Sequence, residues 1–376
     1  MTRIFILLSC LIFALPGCKS PEENHIDNDT AFEEITLLNA SAFSIQKRAN
    51  SYLIKTFHPE HPEQIIQEIR IGEHCKNSTE NLCFNQPISR VAVLSTTYLG
   101  YISSLDMTTA IRCVTNADLI YSPEIQERVA DGLIINLGNE KALNMERLIV
   151  SDVDLVFYYD FGPGTAAMID RLEKMGIRVV KVYEYLEKDP LGKAEWIKFF
   201  GALFNKTEEA DSIFNEISDE YLKLKKRAGQ DALKKTVFTG LPFKGEWHQP
   251  GGASFQAAYF SDAGADYLWK EDSSVSGILM DREVIFEKAL GADVWLHPNN
   301  ETTLEGIIDL DVRFEQFKSF QNGQVYNNNK RLNENMGNDY WESGLLNPQL
   351  VLKDLIAIFQ PGIFPDHELY YYQKLE

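Results

Sequence analysis

Short apolar runs alternate with amphipathic segments along most of this 376-residue chain, and this alternation limits the fold more than any other feature. Nearly all-apolar runs of this length are typical of strands in a parallel sheet that helices cover on both faces. The pattern predicts an α/β lobe over residues 89–188, with five candidate strands: RVAVLST, IRCVT, LIINLG, VDLVFYYD and RVVKVYE.

A long helical pattern follows this lobe and divides the chain. Residues 189–232 place apolar side chains at helical spacing, which predicts one connecting helix, with a candidate break near Asn205. A second α/β pattern over residues 233–376 predicts a second lobe. The run 42–57 alternates around a polar turn and predicts a β-hairpin. The predicted fold is therefore two Rossmann-like α/β lobes joined by a single long α-helix, with an N-terminal β-hairpin extension.

The first residues have the features of an export signal. Arg3 precedes an apolar run over residues 4–15 that is too short to span a bilayer, and Cys18 follows with a glycine directly before it. This end of the run resembles the lipobox of bacterial lipoproteins, in which cleavage leaves a lipidated cysteine. The resemblance implies a signal peptide over residues 1–18 and an exported chain, anchored through Cys18 to the periplasmic side of a membrane. A cleaved signal with an incidental cysteine is the alternative.

The remaining N-terminal residues predict a tether and a small covalent link. Residues 19–29 are polar and acidic, as in a flexible tether, and we assign residues 19–88 to the tether and the β extension together. Cys75 and Cys83 flank a polar loop, which in an oxidising compartment predicts a disulfide. Cys113 lies in an apolar run and is expected in the core.

Composition and motifs argue against several classes of function. The formal net charge is -19 at pH 7, which disfavours nucleic acid as a partner, because neutralising phosphates requires clustered Lys and Arg. The sequence has no GxSxG, P-loop or HExxH motif and no GxGxxG after a strand, so the residues of common hydrolase, nucleotide and zinc-protease sites are missing. We therefore predict no enzyme activity, no cofactor and no metal site.

Several runs in this order resemble the substrate-binding lipoproteins of ABC importers for iron chelates and cobalamin. The resemblance covers the chain from about Ser89 to its end, and the hairpin extension lies outside it. It implies a monomer that captures a metal chelate between the lobes and delivers it to an ABC permease. Ferric siderophore, haem and cobalamin all stay open, as does a surface lipoprotein without an importer. The runs are RVAVLSTTYLGYISSL, NMERLIVSDVDLVFYY, PLGKAEWIKFFGALF, WHQPGGASFQAAYFSDAGADYLW and GQVYNNNKRLNENMGNDYWESGLLNPQLVLKDL.

Candidate ligand contacts follow from the geometry of open α/β sheets. Ligands bind outside the carboxyl ends of the strands, and aromatic residues recur there in this sequence, where a broad ligand needs stacking surfaces. Ordinary core packing is the competing interpretation for each aromatic. The predicted ligand-binding residues are Thr96, Thr97, Tyr98, Tyr121, Tyr158, Tyr159, Trp247, His248, Arg331, Asp339, Tyr340 and Trp341, with Asp160, Tyr183, Glu184, His297 and Asn329 also at strand ends.

The family resemblance also implies permease-docking residues. Members carry an exposed glutamate on each lobe that docks onto basic pockets of the permease. Glu283 matches the lobe-two position. The lobe-one match falls on Ala166, which leaves Asp170 or Glu173 as substitutes. A solvated helix face is the alternative for all of these acids.

Overall fold

The computed structural model describes residues 32–376 apart from residues 59–60, 62, 77, 79, 86, 140–141, 160–163 and 229–233. The predicted signal peptide, Cys18, the polar tether and Asp160 lie outside the described residues. Residues 32–376 belong to one compact unit. Among the helices that the structure describes, none combines the length and the apolar character needed to cross a membrane.

A five-stranded sheet forms at the N-terminal side, where the sequence predicts a hairpin. Its neighbours are antiparallel except for the last pair, which is parallel. The predicted hairpin is present at its centre, and buried and less buried residues alternate along its second strand. The disulfide predicted between Cys75 and Cys83 is also present. The strands, in spatial order, are β1 (Glu33–Ile35), β2 (Phe43–Arg48), β3 (Ser51–Phe57), β4 (Ile65–Ile71) and β5 (Cys83–Phe84).

Lobe one is a five-stranded parallel sheet with the spatial order β10-β9-β6-β7-β8. Its central strands are buried, as their apolar sequences predict. The strand order reverses between β6 and β9. The strands are β6 (Val91–Val93), β7 (Ile111–Val114), β8 (Ile135–Asn136), β9 (Leu155–Tyr158) and β10 (Val179–Lys181), and the helices are α1 (Thr97–Ser104), α2 (Pro123–Ala130), α3 (Met145–Val150) and α4 (Thr165–Lys174).

The predicted single long helix of the connection is divided into two helices at Asn205, where the sequence indicates a candidate break. Helix α5 (Pro190–Phe204) ends at Asn205, and α6 (Thr207–Ala228) follows. Asn205 adopts left-handed backbone angles, with φ 57°, which asparagine tolerates better than most residues. The two helices pack so closely that a Cβ atom on Gly201 would lie 2.6 Å from Cβ of Ala210, which explains the glycine at this position.

Lobe two repeats the α/β plan with additions. Its sheet has the order β13-β11-β15-β16-β17, in which only β17 is antiparallel, and β12 and β14 form a separate antiparallel pair. The order reverses between β11 and β15. The strands are β11 (Thr236–Thr239), β12 (Trp247–Pro250), β13 (Asp266–Tyr267), β14 (Gly277–Met280), β15 (Val294–Leu296), β16 (Val325–Asn327) and β17 (Gln373–Lys374), and the helices are α7 (Phe255–Asp262), α8 (Arg282–Ala289), α9 (Leu304–Leu310), α10 (Lys318–Gln321), α11 (Asp339–Glu342) and α12 (Pro348–Phe359).

Two buried carboxylates attach the N-terminal sheet to the connection. The Glu195 carboxylate, on α5, accepts hydrogen bonds from the amides of residues 38–40 at 2.7 to 3.0 Å. Glu187 accepts the amides of residues 41–42 at 3.0 Å and the Trp196 indole N–H at 3.1 Å. Both glutamates are almost fully buried, so these bonds are shielded from water. The sheet is therefore an integral part of the lobe-one side of the molecule.

Candidate functional site

A cavity of about 810 Å³ lies between the two lobes. Both strand-order reversals contribute to it, because Ser95 follows β6, Tyr159 follows β9, Gly240 follows β11 and His297 follows β15. This is the position at which open α/β sheets bind ligands, and the volume is within the range of small-molecule pockets. The cavity is therefore the candidate site.

Four of the predicted ligand-binding residues line this cavity. Thr97 and Tyr98 begin α1, Tyr159 directly follows β9, and His248 lies on β12. Burial raises the pKa of the Tyr98 hydroxyl well above its ordinary value, so it stays a neutral hydrogen-bonding group. Thr96, which precedes α1, is not part of the cavity wall.

Two of the predicted ligand contacts, Trp247 and Tyr158, lie in the core and not in the cavity wall. Trp247 is fully buried, and its indole N–H donates to the carbonyl of Thr239 at 3.0 Å. Because side chains alternate along β12, His248 and Trp247 point in opposite directions. Tyr158 is the last residue of β9 and belongs to a hydrophobic cluster of lobe one that also contains Leu94, Leu137 and Ile169. Tyr183 is buried in the same way.

Tyr121, Arg331 and Asp339 come together outside the cavity, at a polar contact between the lobes. Arg331 Nε lies 2.6 Å from Asp339 Oδ2, and its guanidinium lies 5.1 Å from the Tyr121 ring. Glu342 accepts the amides of Tyr121 at 2.6 Å and Ser122 at 2.9 Å. Their position outside the cavity has a topological reason, because Tyr121 follows β7 and Arg331 and Asp339 follow β16, and neither strand flanks a strand-order reversal.

The adjacent aromatics on α11 have different environments. Tyr340 is buried, with its ring 6.2 Å from that of His297, and belongs to the core. Trp341 is 40% exposed and lines a second cavity of about 510 Å³. Asparagine side chains dominate the rest of that wall, and Gln256 and His297 belong to the walls of both cavities. The asparagines are Asn299, Asn300, Asn328, Asn329 and Asn338.

Besides Tyr98, burial shifts the pKa values of Glu184 and His297 in the main cavity. Burial raises the pKa of Glu184 to about 7, against the opposing effect of the Lys193 ammonium. Burial lowers the pKa of His297 to about 4, so its imidazole is neutral at pH 7. The Nε2 atom of His297 lies 2.7 Å from the Tyr372 hydroxyl. Lys193 is buried as well, and its Nζ lies 4.3 Å from the Phe255 ring.

The sequence prediction missed part of the lobe-two wall. Ser254, Phe255 and Gln249 line the cavity, although none was predicted as a ligand contact. The segment PGGASF carries a usable signal, since two glycines precede a serine that caps α7. A Cβ on Gly251 would lie 2.1 Å from the carbonyl oxygen of Ser274, so the turn requires glycine there. This close turn directs the start of α7 toward the cavity.

Glu283 and its lobe-one counterparts lie on exposed helix surfaces. The Glu283 side chain is 71% exposed, and Oε1 lies 3.2 Å from Arg313 Nη1. Asp170 pairs with Lys174 at 2.6 Å, and Glu173 and Ala166 are exposed on the same helix, α4. Among the described residues, the one close grouping of possible metal ligands is His74 with Cys75 and Cys83, whose sulfur atoms are bonded to each other.

Comparisons with known proteins agree with this geometry. The family model described as periplasmic binding protein matches residues 91–332. An uncharacterized lipoprotein of Methanocaldococcus jannaschii is 29% identical over 299 residues, which cover 77% of this chain and 69% of the relative.

Two solved structures share the fold. A possible iron-binding (periplasmic solute-binding) protein from Staphylococcus epidermidis superimposes with a TM-score of 0.58 at 17% identity, over 73% of this chain and 99% of its own. A periplasmic heme binding protein from Pseudomonas aeruginosa also gives 0.58, at 12% identity, over 77% and 98% of the two chains. At these identities the likeness establishes the fold alone, while the family model covers more than half of the sequence. The chain therefore belongs to the periplasmic binding protein family.

Proposed function

We propose that this protein captures an iron complex of the siderophore type in the interlobe cavity and delivers it to an ABC permease. The observation that carries the proposal is the cavity itself, which is bounded by both lobes and has aromatic walls. Tyr98, Tyr159 and Tyr185 face it from lobe one and Phe255 from lobe two. Rings around a volume of about 810 Å³ suit a broad organic ligand with apolar faces.

A bare metal ion fits this cavity poorly. Zinc and similar cations need three or four convergent histidine, cysteine or carboxylate ligands. In the described part of the wall, His248, His297 and Glu184 are the residues of these types, and they come from different elements on both lobes. The His297 Nε2 atom already contacts the Tyr372 hydroxyl. An iron ion held inside an organic chelate places no such demand on the protein.

A corrinoid of the cobalamin type is the second candidate ligand. It is favoured by the amide-lined second cavity, which shares Gln256 and His297 with the main one. Asparagine amides both donate and accept hydrogen bonds, and Trp341 adds an aromatic face. Such a wall suits a ligand whose edge carries many amide or hydroxyl groups, as the rim of a corrinoid does.

Membrane anchoring and permease docking complete the proposal. In it, Cys18 carries the lipid, and the lipoprotein named among the relatives supports this assignment. Glu283 is exposed enough to meet a basic pocket, although Arg313 must release it. Charge complementarity of this kind mainly sets orientation and encounter rate. Asp170 or Glu173 would serve on lobe one.

Isothermal titration of the full chain without its signal peptide tests the proposal. The ligand panel is a ferric trihydroxamate, a ferric tricatecholate, haem and a corrinoid. We expect at least one to bind one-to-one, and Phe255→Ala to weaken that binding, whereas Leu222→Ala on the exposed face of α6 leaves it unchanged. Failure of the whole panel to bind, or chemical turnover of a bound ligand, would refute the proposal.

A further inference from the structure

Glu184 places an unpartnered carboxylate oxygen in the wall of the main cavity. The residue begins the short 3-10 turn Glu184–Leu186 after β10, is 4% exposed and lines the cavity. The Glu184 carboxylate interacts with the Thr97 side chain and with the backbone amides of Glu184 and Tyr185, but its buried Oε2 atom has no hydrogen-bond partner among the residues that the structure describes. Buried polar atoms are nearly always paired, because leaving one unpaired costs free energy. A ligand in the cavity can supply the missing donor.

The nearest cation, Lys193, does not provide that hydrogen bond. Its Nζ donates to the backbone carbonyl of Glu184 at 2.8 Å and lies over the Phe255 ring. The ammonium therefore offsets part of the carboxylate charge and is directed at other groups. Both residues are held in place, since Lys193 is buried on α5 and Glu184 begins the 3-10 turn that follows β10. The free oxygen is thus a fixed feature of the cavity.

The rest of the wall offers little to an anionic ligand. Lys188 is the one lysine in the described part of the wall, His248 and His297 are its histidines, and no arginine contributes to it. His297 is neutral at pH 7 because burial lowers its pKa. A ligand with several negative charges would meet the Glu184 carboxylate in a poorly solvated site, where like charges repel strongly. The net charge of -19 opposes the approach of such a ligand as well.

We propose that the cargo presents an N–H donor group to Glu184 Oε2 and is a neutral or cationic chelate, not a polyanionic one. The inference rests on the proposed function and narrows its substrate class. Trihydroxamate iron complexes, which are neutral or carry an added ammonium, satisfy it, as do corrinoids with their amide rim. Tricatecholate iron complexes and haem, with its two carboxylates, do not.

A matched pair of chelates tests the inference. The probes are a linear ferric trihydroxamate that ends in a primary ammonium, the same chelate with that amine acetylated, and a ferric tricatecholate. Titrations are run at pH 8, because burial raises the pKa of Glu184 to about 7 and the carboxylate must be ionised. We expect the ammonium form to bind more than tenfold more tightly than the acetylated form, and the tricatecholate to bind most weakly.

Two variants assign the preference to one side chain. Glu184→Gln keeps the shape of the residue and should remove the preference for the ammonium form. Glu173→Gln changes an exposed lobe-one carboxylate far from the cavity wall and should retain it. The comparison of the three chelates on the unaltered protein needs no variant, so it remains decisive if Glu184→Gln fails to fold.

The experiment separates a failure of the inference about Glu184 from a failure of the proposed function. Equal affinity for the three chelates, or tightest binding of the tricatecholate, overturns the inference and leaves the proposed function standing. A preference for the ammonium form that survives in Glu184→Gln overturns the assignment to Glu184. If none of the chelates binds and haem and a corrinoid fail too, the proposed function falls with the inference.

Discussion

Tyr340 and Trp341 are neighbours in the chain, yet they have different physical roles. Tyr340 contacts Tyr371 and Tyr372 in addition to His297, with ring centroids 5.9 Å and 6.0 Å away, and is 3% exposed. Trp341 faces the second cavity with 40% of its surface exposed. Because they are consecutive on α11, their side chains point in different directions. The same truncation should therefore affect stability at one position and binding at the other.

For Trp341→Ala we expect weaker ligand binding with little loss of stability. An aromatic contact at a binding hot spot is worth about 2 kcal/mol, or roughly 30-fold in affinity. Titration with the ligand and thermal melting without it measure the two effects. Tyr340→Ala is the matched comparison, and cavity formation should lower its free energy of unfolding by roughly 3 to 5 kcal/mol. Unchanged affinity with a large drop in the melting temperature of Trp341→Ala would contradict this assignment.

His297 should make the protein less stable in acid. Burial holds its folded-state pKa at about 4, below the ordinary value of 6.5. The unfolded chain therefore binds the proton more readily, so this contribution is complete above pH 6.5 and is lost as the pH falls toward 4. Urea unfolding at several pH values should show a shallower decline for His297→Gln than for the unaltered protein. His61→Gln, on an exposed ring, is the control, and parallel curves for all three proteins would argue against this role.

Helix α5 packs against the N-terminal sheet and against both lobes. It is buried along its whole length and packs on β2 and β3 of the N-terminal sheet, on α1 of lobe one, and on α7 and α12 of lobe two. This environment explains its mostly apolar sequence. It also explains why its few charged residues matter, since Glu195 and Lys198 pair with each other at 3.0 Å in a nearly dry setting.

Removing the Glu195 carboxylate should destabilise the protein strongly. In Glu195→Ala, the amides of residues 38–40 lose their acceptor, and Lys198 loses its buried partner while it keeps the more exposed Asp211 at 3.2 Å. Breaking a buried ion pair from one side typically costs about 3 to 5 kcal/mol. Urea denaturation measures the loss, and faster hydrogen exchange at residues 38–40 would locate it. Glu209→Ala, on the exposed face of α6, should behave like the unaltered protein, and similar behaviour of Glu195→Ala would be evidence against the attachment.

The strong periodic elements were predictable from sequence, and the missed elements lack local signals. The buried strands of both lobes and helices α1 to α4 lie where apolar periodicity indicates them. Strands β1 and β5 have only three and two residues, too few to show a periodic pattern. Strand β5 pairs with β4 across a loop closed by the disulfide, so tertiary contacts determine whether it forms. The sequence indicates the break at Asn205, but it does not show that α6 packs back on α5, which depends on tertiary contacts.

The site was predictable as a location more than as a set of side chains. The rule for strand ends identifies Thr97, Tyr98, Tyr159 and His248, because it requires only the order of strands and loops. It does not say which strands flank the order reversal, so Tyr121 and Arg331 were included with them. It also does not say which face of a strand is buried, which is why Trp247 was predicted alongside His248.

The two lobes are connected by more than the helical link. Glu342 on α11 binds the amides at the start of α2, and Asn333 Nδ2 donates to the carbonyls of Asp118 at 2.8 Å and Ile120 at 2.9 Å. These bonds lie away from the main cavity and cross from lobe two to lobe one. A hinge motion would have to break them as well as bend the α5–α6 connection. Large rearrangement is therefore disfavoured.

Ligand binding should close the lobes only slightly. Spin labels at exposed positions on opposite lobes, Glu173 and Leu279, should report nearly the same distance with and without a bound chelate. In Glu342→Ala the two amides lose their acceptor, and we expect a broader distance distribution. Glu334→Ala changes an exposed carboxylate of the same segment and serves as the control. A rotation of many degrees upon binding to the unaltered protein would show that the contact does not restrain the lobes.

The carboxylates of Glu187 and Glu195 also carry information about descent. A relative that lost the N-terminal sheet would leave both carboxylates without the backbone N–H donors of residues 38–42, and selection would then favour their replacement. A relative that retains both glutamates is expected to retain the sheet, even where the strands themselves have diverged beyond alignment. The pairings span 157 positions from Leu38 to Glu195 and 145 from Ala42 to Glu187. The presence of Glu187 and Glu195 in a relative therefore predicts that the relative also has the N-terminal sheet.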